Sequence, residues 1–238
     1  MSQTEVQGSA WLILPTYEEA GNIEGIVRRA LENMPDGSRV LVVDDNSPDG
    51  TGEIADQLKA ELPVEVLHRR GKEGLASAYI AGFRHALGQG AGLVLQMDSD
   101  FSHDPVDLGR LVEASAAADV VLGSRYVPGG GVRDWSLLRR AISRGGSAYA
   151  RTVLGIGVRD LTGGFKCFRR EVLESIDLDA ISSQGYAFQV EMTYRALQKG
   201  FRVVEVPIVF RDRQVGKSKM SRAIVLEAAW RVPLLRRR

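Results

Sequence analysis

The chain has one cysteine, Cys167, in 238 residues. That excludes an intrachain disulfide and a cysteine-rich zinc site, and it fits a reducing compartment. No run of about 18 apolar residues occurs, so nothing reads as a membrane span. The first ten residues, MSQTEVQGSA, lack the basic and apolar regions of a signal peptide. A formal net charge of +1 provides no global field to attract nucleic acid. Repeats and low-complexity tracts are absent. So are two phosphate-binding fingerprints: G-x-x-x-x-G-K-[ST], and G-x-G-x-x-G after the first strand. The first absence argues against a P-loop nucleotidase, the second more weakly against a dinucleotide-dependent dehydrogenase. What is present is ordinary for a globular chain, 44% apolar and 26% charged, at a length that suits one large domain or two small ones.

Short apolar runs alternate with helical spacing in the first half. Residues 10–14, 40–43, 64–67, 93–97 and 119–122 read as strands. Residues 22–34, 51–61 and 75–87 read as helices; in the first, Ile23, Ile26, Val27, Ala30, Leu31 and Met34 recur at helical spacing. This order predicts an α/β fold, a mostly parallel sheet with helices on both faces. Ligands of such sheets bind beyond the carboxyl ends of the strands.

Polar clusters sit at those ends. They are Pro15-Thr16-Tyr17-Glu18-Glu19, Asp44-Asp45-Asn46-Ser47, Asp98-Ser99-Asp100 and Gly123-Ser124-Arg125. Asp98 and Asp100, two residues apart after an apolar strand, point the same way in extended geometry. Like charges so placed repel unless a cation lies between them. Alone, the pair could be turn-formers or the cap of a helix beginning near Pro105. Four polar clusters converging on one rim favour a metal-assisted nucleotide site, with the carboxylates holding Mg²⁺ or Mn²⁺.

The set LPTYEEAGNI, VVDDNSPDGT, MDSDFSHDP, GSRYVPGGG, LTGGFKCFRR, QGYAFQVEM and VPIVFRDRQVGKSKM resembles the polyprenol- (dolichol-) phosphate mannosyltransferases of glycosyltransferase family 2, from about Trp11 to Met220. The resemblance implies a GT-A type nucleotide-sugar transferase fold and a single catalytic domain over residues 1–220. It also implies a GDP-mannose donor, a divalent cation, a polyprenyl phosphate acceptor and inversion at the anomeric carbon. Asp98 and Asp100 would bind the cation, with Ser102 where some relatives have glutamine. Pro15, Tyr17, Glu19, Val43 and Asp45 match nucleotide-binding positions. Asp98, Ser99, Asp100 and Arg125 extend that set, and Arg213 and Lys219 would close over the diphosphate, with Gly216 as a hinge. Arg125, Arg139 and Ser143 would face the acceptor phosphate; with Asp100 they form the catalytic set. Gln189 and Glu191 would line or support the sugar pocket. His103 is expected to be a solvated loop histidine, and Gly129-Gly130-Gly131 a second mobile loop.

Residues 221–238 form a basic amphipathic C-terminal segment with Trp230 and a terminal arginine triplet. From Arg213 onward the chain has eight basic residues and one acid, Glu227. The segment could lie at a membrane surface or pack on the core. The resemblance places the protein peripherally on the cytoplasmic face of a membrane, with an integral membrane partner in some relatives. Two rivals are open: a sister enzyme moving glucose or another sugar, and a non-catalytic nucleotide-sugar-binding module.

Overall fold

The computed structural model describes residues 8–212 and 230–236. The first half runs β1 (Ala10–Thr16), α1 (Ile23–Glu32), β2 (Arg39–Asp44), α2 (Thr51–Glu61), β3 (Val64–His68), α3 (Leu75–Gly88) and β4 (Leu93–Gln96). A 3₁₀ turn at Pro105–Asp107 leads into α4 (Leu108–Ala114), β5 (Val120–Ser124) and β6 (Gly131–Val132). Then come α5 (Leu137–Leu154), β7 (Lys166–Arg169), α6 (Arg170–Ser175), α7 (Gly185–Gln198), β8 (Val203–Pro207) and β9 (Val209–Phe210). All five predicted strands and three predicted helices are present, with no boundary shifted by more than two residues.

Seven strands form one sheet in the order β3-β2-β1-β4-β7-β5-β8. Every pairing is parallel except those of β7, which is antiparallel to both β4 and β5. Alternation along β1 divides the core. Trp11 and Ile13 face a cluster containing Tyr79 and Phe83 of α3 and Phe188 of α7. Leu12 and Leu14 face the other cluster, with Ile23, Ile26 and Val27 of α1. Two buried faces explain why the strands are continuous apolar runs.

The reversal of β7 has a consequence for the rim. Parallel strands deliver the residues that follow them, whereas β7 delivers those that precede it, Thr162-Gly163-Gly164. A parallel ribbon of β6 and β9 covers the same end. It is tied down by Ile208 N–H donating to the Ser124 carbonyl (3.0 Å) and Arg211 N–H to the Ser102 carbonyl (3.0 Å). The triple glycine is therefore pinned: Gly131 lies in β6, and a Cβ on Gly130 would stand 2.5 Å from the Ser124 carbonyl oxygen, so no side chain fits there.

Helix α5 begins at Ser136, whose Oγ accepts from Arg139 N–H (3.3 Å), and stops at Gly155 in the left-handed region (φ 69°). Residues 230–235 are helical and bury Val232 and Leu235 in the same cluster as α5's Ala150 and Leu154. The described part of the C-terminal segment thus packs on the core, while Trp230 and Leu234 remain exposed. Among the described residues no helix is long and apolar enough to cross a membrane.

Candidate active site

A cleft of about 580 Å³ opens beyond the carboxyl ends of β1, β2, β4 and β5. All four polar clusters reach it, through Tyr17, Asp45, Asp98 and Arg125. At one end the two aspartates after β2 divide their tasks. Asp44 accepts from Thr16 Oγ1 (2.9 Å), Ser47 N–H (3.0 Å) and Ser47 Oγ (2.6 Å), which spends it on the loop. Asp45 lines the cleft and accepts from Arg69 Nη1 (2.6 Å). Burial pushes its carboxyl above the ordinary value, against the pull of Arg69. Tyr17 lines the wall with Lys72 Nζ 3.9 Å from its ring centroid. Pro15 and Glu19 also line this end, Glu19 accepting from Asn22 Nδ2 (2.8 Å). Val43 does not line the cleft; its side chain is fully buried in the core. A strand residue one position before the rim points into a helix-covered face, so only the backbone of Val43 runs near the site.

The middle of the cleft holds the aspartate pair. The cap of the turn near Pro105 is Asp104, whose side chain accepts from Val106 N–H (3.3 Å), so Asp98 and Asp100 are spared that role. The Asp98 side chain is 36% exposed and Asp100 is buried on the wall, its Oδ1 accepting from Ser102 N–H (3.0 Å). Ser99 Oγ donates to the Pro15 carbonyl (3.0 Å), fixing the loop to β1. Tyr79 Oη donates to Asp98 at 3.4 Å; burial, then the Asp98 charge, holds its pKa well above the ordinary value, so it stays a proton donor. Among the described residues no three His, Cys, Asp or Glu side chains gather as a ready-made metal cage. Two carboxylates and the nearby Ser102 are nevertheless a fit for Mg²⁺ or Mn²⁺, hard ions that keep waters and share substrate phosphates.

His103 departs from the sequence reading. It is 2% exposed, packed against Phe165 (5.1 Å) and edge-on to Phe210 (5.0 Å). Burial, and more weakly Arg125, pulls its pKa down to about 4 against the opposing pull of Asp100. It is neutral at pH 7, and its 3.9 Å approach to Asp98 is neither an ion pair nor a hydrogen bond. The β6–β9 ribbon, which no local pattern announces, is what covers it.

At the far end, Arg125 is almost fully buried. Its Nε and Nη2 donate to the two oxygens of Asp160 (2.7 and 2.6 Å), and Nη2 also to Thr162 Oγ1 (3.0 Å). Burial works against the charge, but Asp160 holds the guanidinium above its ordinary pKa. Arg139 lines the cleft, 4.3 Å over the Trp135 ring, with Nη1 donating to both Asp212 oxygens at 2.8 Å. Ser143 is one turn along α5 but outside the cleft lining, and its Oγ accepts from Tyr126 Oη (2.6 Å). Gln189 is in the lining. Glu191 is not; Arg195 donates to it from Nε (2.9 Å) and Nη2 (2.7 Å), away from the cleft. The expectations for Arg213, Gly216 and Lys219 lie outside the described residues.

Sequence reasoning missed Lys72, Trp135, Asp160 and Gln96. Asp160 carried no local signal, because its partner is 35 residues away. Cys167, buried in β7 with its thiol pushed up to about 12 by burial, is no nucleophile.

The Glycosyl transferase family 2 model matches residues 11–177. The chain is 49% identical over 224 residues to the polyprenol monophosphomannose synthase of Mycolicibacterium smegmatis, covering 93% of this chain and 84% of that one. It is 51% identical over 217 residues to the undecaprenyl-phosphate mannosyltransferase of Micrococcus luteus, covering 91% and 89%. Among solved structures it is similar to glucosyl-3-phosphoglycerate synthase from Mycobacterium tuberculosis with Mn²⁺, UDP and glucosyl-3-phosphoglycerate (TM-score 0.68, 18% identity, 97% and 80% coverage). It is also similar to a mannosyltransferase from Pyrobaculum calidifontis with GDP-Man and Mn²⁺ (TM-score 0.59, 19% identity, 98% and 75% coverage). At these identities the structural likenesses speak to the GT-A fold alone.

Proposed function

The chain belongs to glycosyl transferase family 2, and we propose that it moves mannose from GDP-mannose to a polyprenyl phosphate, with inversion, at the cytoplasmic face of a membrane. The observation that carries the reading is the start of α5. Arg139 reaches the cleft while Leu137, Leu138 and Ile142 around it are 81%, 71% and 54% exposed. A cation for a phosphate, framed by bare aliphatic side chains, suits an acceptor that is a phosphate on a lipid. A water-soluble acceptor needs no such frame. The names of the two relatives near 50% identity point the same way.

Tyr17, Lys72 and Asp45 would take the nucleoside, Asp45 offering a carboxylate to base N–H groups. Asp98, Asp100 and Ser102 would hold the divalent cation, whose chemistry is to neutralise charge on the leaving diphosphate. Arg139 would receive the acceptor phosphate. Its pairing with Asp212 is about 40% exposed on both sides, at the level where such pairs are worth roughly 0–1 kcal/mol, so a phosphate can displace the carboxylate. One acceptor oxygen attacks the anomeric carbon from the side opposite GDP. The new carbon–oxygen bond forms as the bond to the diphosphate breaks, and GDP keeps the electron pair. The acceptor phosphate is already ionised near neutral pH, with a second pKa of about 6, so no side chain has to act as base. Arg125, already paired with Asp160, would steady Trp135 and the phosphate end of the cleft rather than supply a free charge; its guanidinium lies 5.6 Å from that ring.

The test is turnover by the purified chain with GDP-mannose, Mn²⁺ and a short polyprenyl phosphate, beside a parallel reaction with UDP-glucose. Product from the first and none from the second is expected. The reverse would hand the site to the glucose-transferring rival, and binding without turnover of either donor would favour the non-catalytic module.

A further inference from the structure

The β6–β9 ribbon has two faces, and only one belongs to the cleft. Phe210, in register with Val132, faces inward, where it lines the cleft and covers His103. Side chains alternate along a strand, so the neighbours of Phe210 go to the other face. There Val209 and Arg211 line a second pocket of about 290 Å³, and Arg133, next to Val132, lines it with them. Arg133 N–H donates to the Phe210 carbonyl (2.8 Å), which sets Arg133 beside Arg211 across the ribbon.

Two like charges so placed are destabilising unless an anion answers them. The pocket has two acids, and both are taken. Asp104 accepts from Arg29 Nη2 (3.2 Å) and from Val106 N–H (3.3 Å), and Asp107 accepts from Arg110 Nη1 (2.5 Å). Arg133 and Arg211 are exposed and pair with no acid among the described residues. Their surroundings are apolar as well as cationic. Val106, 53% exposed, lines the same pocket, and Leu137, 81% exposed, follows Arg133 by four residues. Guanidinium forks suit phosphate oxygens. Bare aliphatic side chains beside them suit the level of a bilayer where headgroups meet acyl chains. An anion free in water needs the cations and has no use for the aliphatic rim.

We infer that the outer face of the ribbon, through Arg133 and Arg211, binds the headgroup phosphate of an anionic bilayer phospholipid. This lipid is not the acceptor: its phosphate is held on the opposite face of the ribbon from the cleft that Arg139 lines. Arg133 leads through Trp135 into α5, so a grip here seats the mouth of the cleft against the leaflet. The inference rests on the proposed function only for the presence of a membrane, and its test needs neither donor nor turnover.

The experiment measures binding of the full chain to phosphatidylcholine vesicles with and without phosphatidylglycerol. The wild type should bind only the mixed vesicles. R133Q/R211Q should weaken that binding by roughly ten- to thirtyfold, the worth of two basic residues near an anionic leaflet. R28Q/R39Q removes the same charge from α1 and the amino end of β2, and should change binding by less than about twofold, because distant charges are screened. R133K/R211K keeps the charge without the fork and should fall between wild type and R133Q/R211Q. The Tm of these variants should not drop below that of the wild type for the ribbon changes, since the two arginines have no ion pair to lose. Equal losses in R133Q/R211Q and R28Q/R39Q would mean a diffuse field and no site, and would overturn the inference. So would full binding by R133K/R211K, absence of wild-type binding, or a Tm lowered in R133Q/R211Q. A last arm titrates inorganic phosphate without vesicles. Saturable binding that R133Q/R211Q loses, with vesicle binding unaffected by that variant, would assign the pocket to a soluble anion and overturn the lipid.

Discussion

Single residues here are judged by what burial demands of them. Asp160 is fully buried and answered by the Arg125 fork, with Arg125 N–H as a third donor at 2.9 Å. Removing the cation leaves a buried carboxylate uncompensated, so Arg125→Met should lose about 3–5 kcal/mol of folding stability in chemical denaturation. Lys166 is the converse, a buried amine with two good acceptors. Burial lowers its pKa to about 7, although Asp160 pulls it up. Its unfolded value is about 10.4. Between these values the unfolded chain binds a proton that the folded one does not, so stability rises with pH across that window. The favourable contribution is complete above about 10.4 and is lost as pH falls through about 7. Lys166→Met should remove this slope. The stability difference, wild type minus variant, should grow from pH 7 to pH 10, and a flat difference would show that the amine is solvated or already charged.

Helix α5 is the element that joins the two halves of the proposed reaction. Ala150 and Leu154 at its far end anchor it in the core, with its capped start projecting beside the cleft. Leu137, Leu138 and Ile142 stand largely exposed there, which is costly unless something apolar meets them. Burying a large aliphatic side chain is worth roughly 1.5–3 kcal/mol, and a basic residue near an anionic leaflet about 1 kcal/mol. Leu137→Ser, Leu138→Ser and Ile142→Ser together should therefore weaken cosedimentation with anionic vesicles by at least about tenfold. Turnover of a short, detergent-solubilised acceptor should fall less than turnover of an acceptor embedded in those vesicles. Arg139→Ala should act differently, raising the KM for the lipid phosphate by roughly tenfold to over a hundredfold, the worth of a charge-assisted contact, and sparing GDP-mannose affinity. An unchanged acceptor KM would remove Arg139 from the site.

At the scale of the whole molecule, the cleft exists only when β1, β2, β4 and β5 end side by side, so donor binding should stabilise the entire fold. GDP with Mn²⁺ at about 100 times Kd should add about 2.7 kcal/mol, seen as a rise in Tm. EDTA and Asp100→Asn should each reduce that shift strongly; an undiminished shift in both would detach the cation from the aspartates. Much of this molecule is legible from the chain alone. Apolar runs and helical spacing determine β1 to β5 and α1 to α3, because those patterns report local periodicity and which faces are buried. The position of the polar clusters after the strands determines that Tyr17, Asp45, Asp98, Asp100 and Arg125 share one rim. Tertiary structure alone decided that His103 is sealed under Phe210, that Val43 faces the core, that Asp160 claims Arg125, and that Gln96 donates to the Gln189 amide. Apart from Val43, each of these depends on a partner 35 to 107 residues distant, brought close by the reversed strand β7, the β6–β9 ribbon or the helices packed on the sheet. Periodicity reports which way a side chain faces, and only the closed fold determines what it meets there.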